Sequence, residues 1–532
     1  MIIGLKRFIA LVTFLSCFAN LALTVAGQPA SPSGLQRGEV IFFADFEGTN
    51  GLDGWSGPAR LQPGFSGTQA AALERKAGQE SSVIARSLAV ESLRGCTIRA
   101  TAMVRAQEVS AKPNAWNGLK FMLVVQGTGG SGYPQATLDT GSFDWRLAAF
   151  TARIPADVTN VTLVLGLENV TGRAWFDDVK LTITKLPVTG ASKPLAGARF
   201  KGHALSRLRG TMISPGIDPD SLRVLGHDWN ANLIRWQLIR SGPAARDRSP
   251  EGFDRWLEGE LRKLDAALPY CQENGLLVVV DLHSPPGGKP TTSGYVGSDS
   301  GLFSDKQAQE KFVRVWSGIA ARYKDAKAIW GYDLANEPVE EDVEEDCADW
   351  QALAGRAAVA IRAVDPQRAI VVEPAQWGSP EGLSDLLPLP VSNVVYSVHM
   401  YIPHAFTHQG VFDNGPAYRY PGEIQGKQWN KAELERALQP VVEFQNRYNV
   451  HIYIGEFSAI RWAPDHSACR YLSDLIDIFE AHEWDWSYHA FRESQGWSVE
   501  HGSEQADDRP AIEPTDRERL LRSWFGKNAK PW

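Results

Sequence analysis

The feature that most constrains the fold is a regular alternation of strand-like and helix-like segments after about residue 200. Amphipathic stretches such as residues 253–275 and 306–325 separate most of the β-rich runs, and this order is typical of parallel strands joined by helical crossovers. Eight runs in residues 200–532 predict an α/β fold, a (β/α)8 TIM barrel. A doubly wound open sheet is the alternative, but no Gly-x-Gly-x-x-Gly turn follows the first run. The eight runs are RLRGTMIS, ANLIRWQL, LLVVVDLH, AIWGYDLANEP, AIVVEPA, VVYSVHMY, IYIGEFS and WSYHAFRES.

The sequence between residues 38 and 185 follows a different pattern. Short alternating stretches such as VIFFADFEG, GLKFMLVVQG and AWFDDVKLTIT are separated by Gly-rich turns, without a helical period between them. This spacing predicts an N-terminal β-sandwich. Residues 186–199, LPVTGASKPLAGAR, are rich in Pro, Gly and small residues and are predicted to form a linker.

The N-terminus has the layout of an export signal. Lys6 and Arg7 precede an apolar run that small residues and a polar tail follow. We therefore predict a signal peptide at residues 1–27, a secreted or periplasmic protein, and no stable membrane insertion after cleavage. A permanent membrane anchor is the alternative, because the apolar run is close to one membrane span in length.

Charge and cysteine content narrow the range of partners. A formal net charge of -8 argues against nucleic acid or an anionic membrane as the main partner. The cysteines have no Cys-x-x-Cys spacing, so no zinc site is indicated. One disulfide, Cys347–Cys469, and isolated buried thiols are both open. The 18 Trp residues suit a protein that binds sugars, because the Trp ring stacks well on the apolar face of a sugar. Separately, we expect the protein to be a monomer.

Polar residues lie at or near the ends of the predicted barrel strands. The active site of such a barrel lies at the C-terminal strand ends, where residues distant in sequence converge. Trp377, after the fifth run, is placed to line the same cleft, whereas Glu373 points either into the cleft or into structural hydrogen bonds. The residues expected to meet are Arg235, His283, Asn336, Glu337, His399, Tyr401, Glu456 and a cluster from His489 to Glu493.

Two of these residues form the pair that glycoside cleavage requires. Glu337 and Glu456 end the fourth and seventh runs and would face each other across the barrel mouth, one as a proton donor and one ionised. Asn336 can donate to a sugar 2-hydroxyl. Arg235 and Tyr401 would keep Glu456 ionised, because a cation or a hydrogen-bond donor stabilises the charged form.

These motifs resemble glycoside hydrolase family 5, the cellulase-type members of the 4/7 barrel superfamily. The resemblance covers roughly residues 203–497 and rests on NLIRW, DLHSPPG, YDLANEP, HMY and GEF, in that order. It implies a retaining double displacement with Glu337 as acid/base and Glu456 as nucleophile. It also implies that no metal or other cofactor takes part in the chemistry. The acid/base then needs a raised pKa in the free enzyme.

The sequence departs from the family pattern at strand eight. Family members usually have a Trp there, under the sugar of the central subsite, but the aligned position holds His489. Either Trp497, in the following loop, supplies the stacking surface, or the subsite has a different shape.

The N-terminal region resembles the jelly-roll carbohydrate-binding modules. Acidic residues flank its first and last strands in FADFEG, with Glu47, and AWFDDVKL, with Asp177. In many such modules these positions share a structural calcium, and carboxylate oxygens suit that ion. Surface carboxylates in turns are the alternative. Trp55, Trp116 and Trp145 could stack on sugars, but a sandwich of this size also needs aromatic core residues, and each one singly is expected to be in the core.

Together these patterns predict a secreted retaining endo-β-glycosidase whose partner is a β-1,4-linked glucan or an oligosaccharide of it. A β-mannanase or another β-glucanase of the same family is a second interpretation. A sugar-binding protein that has lost catalysis, and a transglycosylase on the same barrel, are further ones. Loss of activity would be favoured if either catalytic glutamate were replaced, and both are present.

Overall fold

The structure of the chain is a computed structural model. The predicted signal peptide lies outside the residues that the structure describes. These are residues 35–532 except 66–68, 115, 129, 188–193, 242–243, 245–246, 248, 288–300, 341–342, 345 and 413–414.

The N-terminal region consists of two antiparallel sheets. The six-stranded sheet has the order β2-β3-β10-β5-β8, with β1 added at β10, and the four-stranded sheet has the order β4-β9-β6-β7. Residues of both sheets, among them Ile98, Phe121 and Leu165, form one hydrophobic cluster. The prediction of an antiparallel all-β region is confirmed. The strands are β1 Val40–Ala44, β2 Arg60–Gln62, β3 Ala70–Arg75, β4 Ser82–Ser87, β5 Thr97–Val109, β6 Gly118–Gly127, β7 Gly130–Gly132, β8 Gly141–Arg153, β9 Val158–Glu168 and β10 Gly172–Lys185.

The alternation of side chains explains these strands. In β5 the residues Ile98, Ala100, Ala102 and Val104 are fully buried, and the residues between them are more exposed. A period of two places every second side chain on one face of a strand, so the apolar set faces the shared cluster.

The C-terminal region is a closed barrel of eight parallel strands in chain order, and each predicted run contributes one strand. The (β/α)8 prediction is confirmed. A small hairpin, β17 Gly422–Ile424 and β18 Lys427–Trp429, lies between the sixth and seventh barrel strands. The barrel strands are β11 Arg209–Ile213, β12 Leu233–Gln237, β13 Leu277–Asp281, β14 Ile329–Asp333, β15 Ala369–Val372, β16 Val394–Met400, β19 His451–Phe457 and β20 Asp485–Phe491.

Helices connect the strands on the outside of the barrel. Several begin at a side chain that caps the free backbone N–H groups of the first turn; Asp349, for example, accepts a hydrogen bond from Ala352. The helices are α1 Pro219–Arg223, α2 Pro250–Glu273, α3 Lys306–Tyr323, α4 Trp350–Val364, α5 His404–Thr407, α6 Lys431–Ala437, α7 Gln439–Tyr448, α8 Ser467–Ala481 and α9 Asp516–Phe525, with a π-helical turn at Val224–Asp228 and a 3-10 turn at Pro380–Asp385.

A buried polar cluster closes the floor of the barrel, at the N-terminal strand ends. Oδ2 of Asp485, at the start of β20, lies 2.7 Å from Nε2 of both His203 and His451. Its Oδ1 accepts a hydrogen bond of 2.7 Å from the backbone N–H of Leu208. Burial alone would raise the pKa of Asp485, but the two histidines hold it well below its usual value. We call these three side chains the floor cluster.

Three expectations have structural outcomes away from the barrel mouth. Trp116 is 67% exposed, so the expectation that it is a core residue is wrong; it lies in a turn just before β6, where the sheet offers no cover. Cys347 and Cys469 are both free, as are the other cysteines among the described residues, so the disulfide is not formed. None of the helices in the described part of the chain is both long enough and apolar enough to cross a bilayer.

Candidate active site

A cavity of about 910 Å³ opens at the C-terminal end of the barrel strands. Arg235 lies beneath it, fully buried inside the barrel. The structure therefore brings together the side chains that the sequence placed at separate strand ends. Those on the cavity wall are His283, Asn336, Glu337, Trp377, His399, Tyr401, Glu456, His489 and Trp497.

Arg235 organises the base of the site. It lies in the middle of β12, and it donates to Asp333, Glu373 and Glu456. Burial alone would lower the pKa of Arg235, but Asp281 and these three carboxylates raise it well above its usual value. The guanidinium is therefore a fixed positive charge under the cavity.

Glu456 is held ionised by three groups. Arg235 donates to its Oε1, and the Tyr401 hydroxyl donates to its Oε2 at 2.8 Å. His399 Nδ1 lies 3.8 Å from Oε2. Burial opposes ionisation, but the charges of His399 and Arg235 outweigh it and lower the pKa of Glu456 well below its usual value. An ionised carboxylate facing a cavity can act as a nucleophile.

Glu337 is the second carboxylate of the site and has a different environment. Its Oε1 lies 2.8 Å from His399 Nδ1, and its side chain is 21% exposed. Its backbone has a left-handed φ of 45°, and its N–H donates to Glu373 Oε2 at 2.8 Å. Carboxylate oxygens of Glu337 and Glu456 lie within 4.8 Å of each other, so both reach one atom bound between them.

His399 lies between the two glutamates. Its Nε2 is 3.1 Å from Glu373 Oε1, and its Nδ1 contacts Glu337. Burial would lower the pKa of His399, but Glu373 and Glu456 raise it well above its usual value. The imidazolium charge thus favours the ionised form of Glu456 and fixes the position of the Glu337 carboxyl group.

Asn336 is positioned by its neighbours before any ligand arrives. Its Oδ1 accepts hydrogen bonds of 3.1 Å from both terminal nitrogens of Arg235, and its Nδ2 lies 3.3 Å from His283 Nε2. His283 Nδ1 lies 2.8 Å from Asp281 Oδ2, which makes Nε2 the acceptor of the amide N–H. The amide at the cavity wall is therefore rigid.

The strand-eight side of the cavity carries an imidazole and an indole. His489 and Trp497 both line the cavity, with ring centroids 5.8 Å apart, and Tyr401 packs 6.3 Å from each ring. Trp486 is fully buried and does not line the cavity. Trp497 is therefore available as an aromatic surface, and His489 adds a polar group where the family pattern has an indole.

A loop after β16 covers part of the cavity. His404 and His408 stack with ring centroids 3.9 Å apart, and His408 packs against Trp497 at 4.7 Å. Burial and the neighbouring His404 lower the pKa of His408 to about 3, so it is a neutral aromatic surface at ordinary pH. Trp377 is 43% exposed at another part of the wall.

Sequence reasoning did not find Asp281 and Asp333 beneath the cavity, and it left the role of Glu373 open. Asp281, Asp333 and Glu373 are all fully buried around Arg235. For Glu373, the structural hydrogen bonds are the alternative that the structure shows. The available signal was an acidic residue inside an otherwise apolar barrel run, as in LVVVD and IWGYD, because a buried charge requires a partner.

A family model described as Cellulase (glycosyl hydrolase family 5) matches residues 199–494. Endoglucanase C of Acetivibrio thermocellus is 28% identical over 263 residues, which are 44% of this chain and 74% of that protein. Cellodextrinase A of Ruminococcus flavefaciens is 24% identical over 42% of this chain and 66% of its own length. The crystal structure of an endoglucanase from Thermotoga maritima covers 59% of this chain and 96% of its own, with 23% identity and a TM-score of 0.44.

Proposed function

The chain is a glycoside hydrolase of the cellulase family, glycosyl hydrolase family 5, and from this membership we propose that it cleaves a β-1,4-linked glucan with retention of configuration. The observation that carries the proposal is the separation of Glu337 and Glu456, whose carboxylate oxygens lie within 4.8 Å of each other. Retaining enzymes have carboxyl groups about 5–5.5 Å apart, whereas inverting enzymes need about 6.5–9.5 Å to admit a water.

The environments of the two glutamates support different roles. Glu456, ionised beside Arg235 and Tyr401, attacks the anomeric carbon and forms a covalent glycosyl–enzyme bond. Glu337, in its protonated form, gives its proton to the departing oxygen, and the contact of its Oε1 with His399 holds the carboxyl group in place. In the second step Glu337 takes a proton from water, which attacks the same carbon and releases Glu456. No cofactor is needed for these steps.

The substrate class is supported by the relatives and by the aromatic wall. Two of them are called endoglucanase and cellodextrinase, and Trp377 and Trp497 supply surfaces for glucose rings. The predicted signal peptide supports a secreted or periplasmic enzyme, and we propose endo action on the polysaccharide. A mannan or another β-glucan as substrate, and transfer to a sugar acceptor instead of water, are the alternatives that the experiment separates.

The test is hydrolysis of a substrate panel followed by proton NMR of the first product. Carboxymethylcellulose, barley glucan, galactomannan, xyloglucan and laminarin are compared by reducing-sugar release. We expect the largest release from the β-1,4-glucans and an initial product in the β-configuration. Initial α-product would contradict retention, a preference for galactomannan would identify a mannanase, and products longer than the substrate would identify a transglycosylase.

We propose a structural calcium in the N-terminal region, held by Glu47 and Asp177. Asp177 is fully buried, and burial raises its pKa, with smaller contributions from Asp178 and Glu47, although the backbone N–H groups of Phe65 and Asp178 donate to it. The Gln69 side-chain oxygen is buried without a hydrogen-bond partner, and its backbone N–H donates to Glu47. Oxygen-rich, electron-rich surroundings of this kind fit a hard cation. Calcium added to chelator-treated protein should raise the Tm, and Glu47→Gln should remove that increase.

We propose that the N-terminal region is a jelly-roll module that binds the same polysaccharide. Trp116 is 67% exposed and Tyr133 is 57% exposed, which leaves two aromatic rings free to stack on sugars. Affinity electrophoresis in gels containing barley glucan tests this. Trp116→Ala should migrate faster than the parent protein, and equal migration would contradict a role for this ring.

A further inference from the structure

The contacts between the antiparallel region and the barrel concentrate on the loops that follow β14 and β15. Lys185, the last residue of β10, lies 3.0 Å from Glu340. Arg153, at the end of β8, lies 2.7 Å from Asp385. Arg37 donates to the backbone oxygen of Cys347. The first contact therefore involves the loop that carries the proposed catalytic acid, and the second involves a loop that forms part of the cavity wall.

A continuous hydrogen-bonded path leads from Lys185 to the catalytic acid. Lys185 pairs with Glu340 Oε1, and Glu340 Oε2 accepts a hydrogen bond of 2.7 Å from the backbone N–H of Trp350. The Trp350 indole donates to the backbone oxygen of Glu373 at 2.7 Å. Glu373 Oε2 in turn accepts from the backbone N–H of Glu337 at 2.8 Å. Four hydrogen bonds in succession therefore connect Lys185 of the antiparallel region to Glu337 of the barrel.

The pair at the start of the path is shielded from water. The side chains of Lys185 and Glu340 are 17% and 6% exposed. Burial would lower the pKa of Lys185, but Glu340, Asp349 and Asp385 raise it, so the ammonium stays charged. Removing the cation would leave a buried carboxylate without its partner, three residues from Glu337.

The second contact reaches the cavity by a shorter route. Arg153 binds Asp385 Oδ1, and Gln376 donates to Asp385 Oδ2 at 2.9 Å. Gln376 lines the cavity beside Trp377, whose backbone N–H donates to Pro338 at 3.3 Å. The loop after β15 therefore also supports the segment that follows Glu337.

We propose that Lys185 is a positioning residue for the acid/base Glu337, so that the antiparallel region completes the catalytic site as well as any binding function it has. The inference rests on the proposed role of Glu337. Glu337 has a left-handed backbone conformation that its surroundings must maintain. Lys185 maintains it by fixing Glu340, which anchors the loop to the start of α4.

The test compares leaving groups, because only a poor leaving group needs protonation. We measure kcat/KM for cellohexaose and for 2,4-dinitrophenyl β-cellobioside, whose phenolate departs without an acid. Lys185→Met should lose about tenfold on cellohexaose and less than twofold on the dinitrophenyl glycoside. Lys185→Arg should recover most of the loss, and Lys180→Met, at an exposed position of the same strand, should change neither value.

Glu340→Gln removes the same ion pair from the barrel side and should give the same selective loss, even if Lys185→Met fails to fold. An equal loss on both substrates, or no loss, in a folded variant would overturn the inference. Glu337→Gln separates the two proposals. If it has no selective loss on cellohexaose, the proposed acid role fails; if it has one and Glu340→Gln does not, only the positioning role fails.

Discussion

The two ends of the barrel carry similar groups in different surroundings. At the mouth, Glu456 is paired with Arg235 and His399; at the floor, Asp485 is paired with His203 and His451. Both carboxyl groups are buried, and both have a pKa held below its usual value by neighbouring cations or imidazoles.

The difference lies in how the oxygens are used. Both oxygens of Asp485 accept hydrogen bonds from fixed protein groups, and Asp485 does not line the cavity. Glu456 lines the cavity and has a second carboxylate within 4.8 Å. A lowered pKa in a buried carboxyl group is therefore not sufficient to identify a catalytic residue. Access to a cavity and a nearby second carboxyl group distinguish the mouth from the floor.

The largest effect is expected at the mouth. Glu456→Gln removes the proposed nucleophile and should lower kcat by about 10⁴-fold or more, while the Tm falls by no more than a few degrees. Reducing-sugar release and a thermal melt measure the two quantities. Activity within tenfold of the parent protein would show that another group performs the attack.

At the floor, we expect a large loss of stability and little change in kcat. Asp485→Asn leaves two imidazoles without their shared carboxylate and should cost about 3–5 kcal/mol of unfolding free energy, with kcat unchanged within twofold for the folded fraction. Urea titration measures the first value. Because its folded-state pKa is lowered, Asp485 stabilises the protein above its unfolded-state pKa of about 3.9, and this contribution is lost as the pH falls further. A tenfold fall in kcat would show that the floor is coupled to catalysis.

A smaller effect is expected from removing one hydrogen-bond donor to Glu456. Tyr401→Phe removes the hydroxyl that donates to Glu456 and should lower kcat/KM by about tenfold, since a hydrogen bond to a charged group contributes about 1.5–3 kcal/mol. His408→Phe, which replaces a neutral aromatic group on the same wall, is the control and should retain activity. An equal loss of kcat/KM in both variants would show that the loss comes from altered packing and not from the missing hydrogen bond.

The smallest effect is a shift of the pH profile. The lowered pKa of Glu456 keeps it ionised in mild acid, so the acidic limb of kcat/KM should have its midpoint below about pH 4.3, the ordinary glutamate value. Activity should fall as the pH drops through that pKa, because protonation removes the proposed nucleophile. Tyr401→Phe should move the midpoint upward by less than about one pH unit. A midpoint above pH 5 in protein that recovers full activity at neutral pH would contradict the lowered pKa.

Much of the barrel could be predicted because its signals are local. Each run such as LLVVVDLH carries its own strand pattern, and strand order in a barrel follows chain order, so the position of Glu337 opposite Glu456 followed from counting strands. The separation of the two carboxylates did not follow, because it depends on the three-dimensional positions of Arg235 and His399.

The remaining features depend on contacts between distant segments. The ion pair between Lys185 and Glu340 joins residues 155 positions apart, so no local sequence pattern connects them. Trp116 was misjudged because a large apolar side chain is usually buried, and only the fold shows that its turn lies at the surface. Whether Trp497 reaches the cavity depended on the path of a loop.

Because several carboxylates share one guanidinium, the effects of substitutions in this group depend on one another. Arg235 contacts Asp281, Asp333, Glu373 and Glu456, so replacing any one of the five alters the charge balance seen by the other four. Single replacements here are then expected to be strongly non-additive. The effect of replacing one of these five residues therefore depends on which of the other four are present.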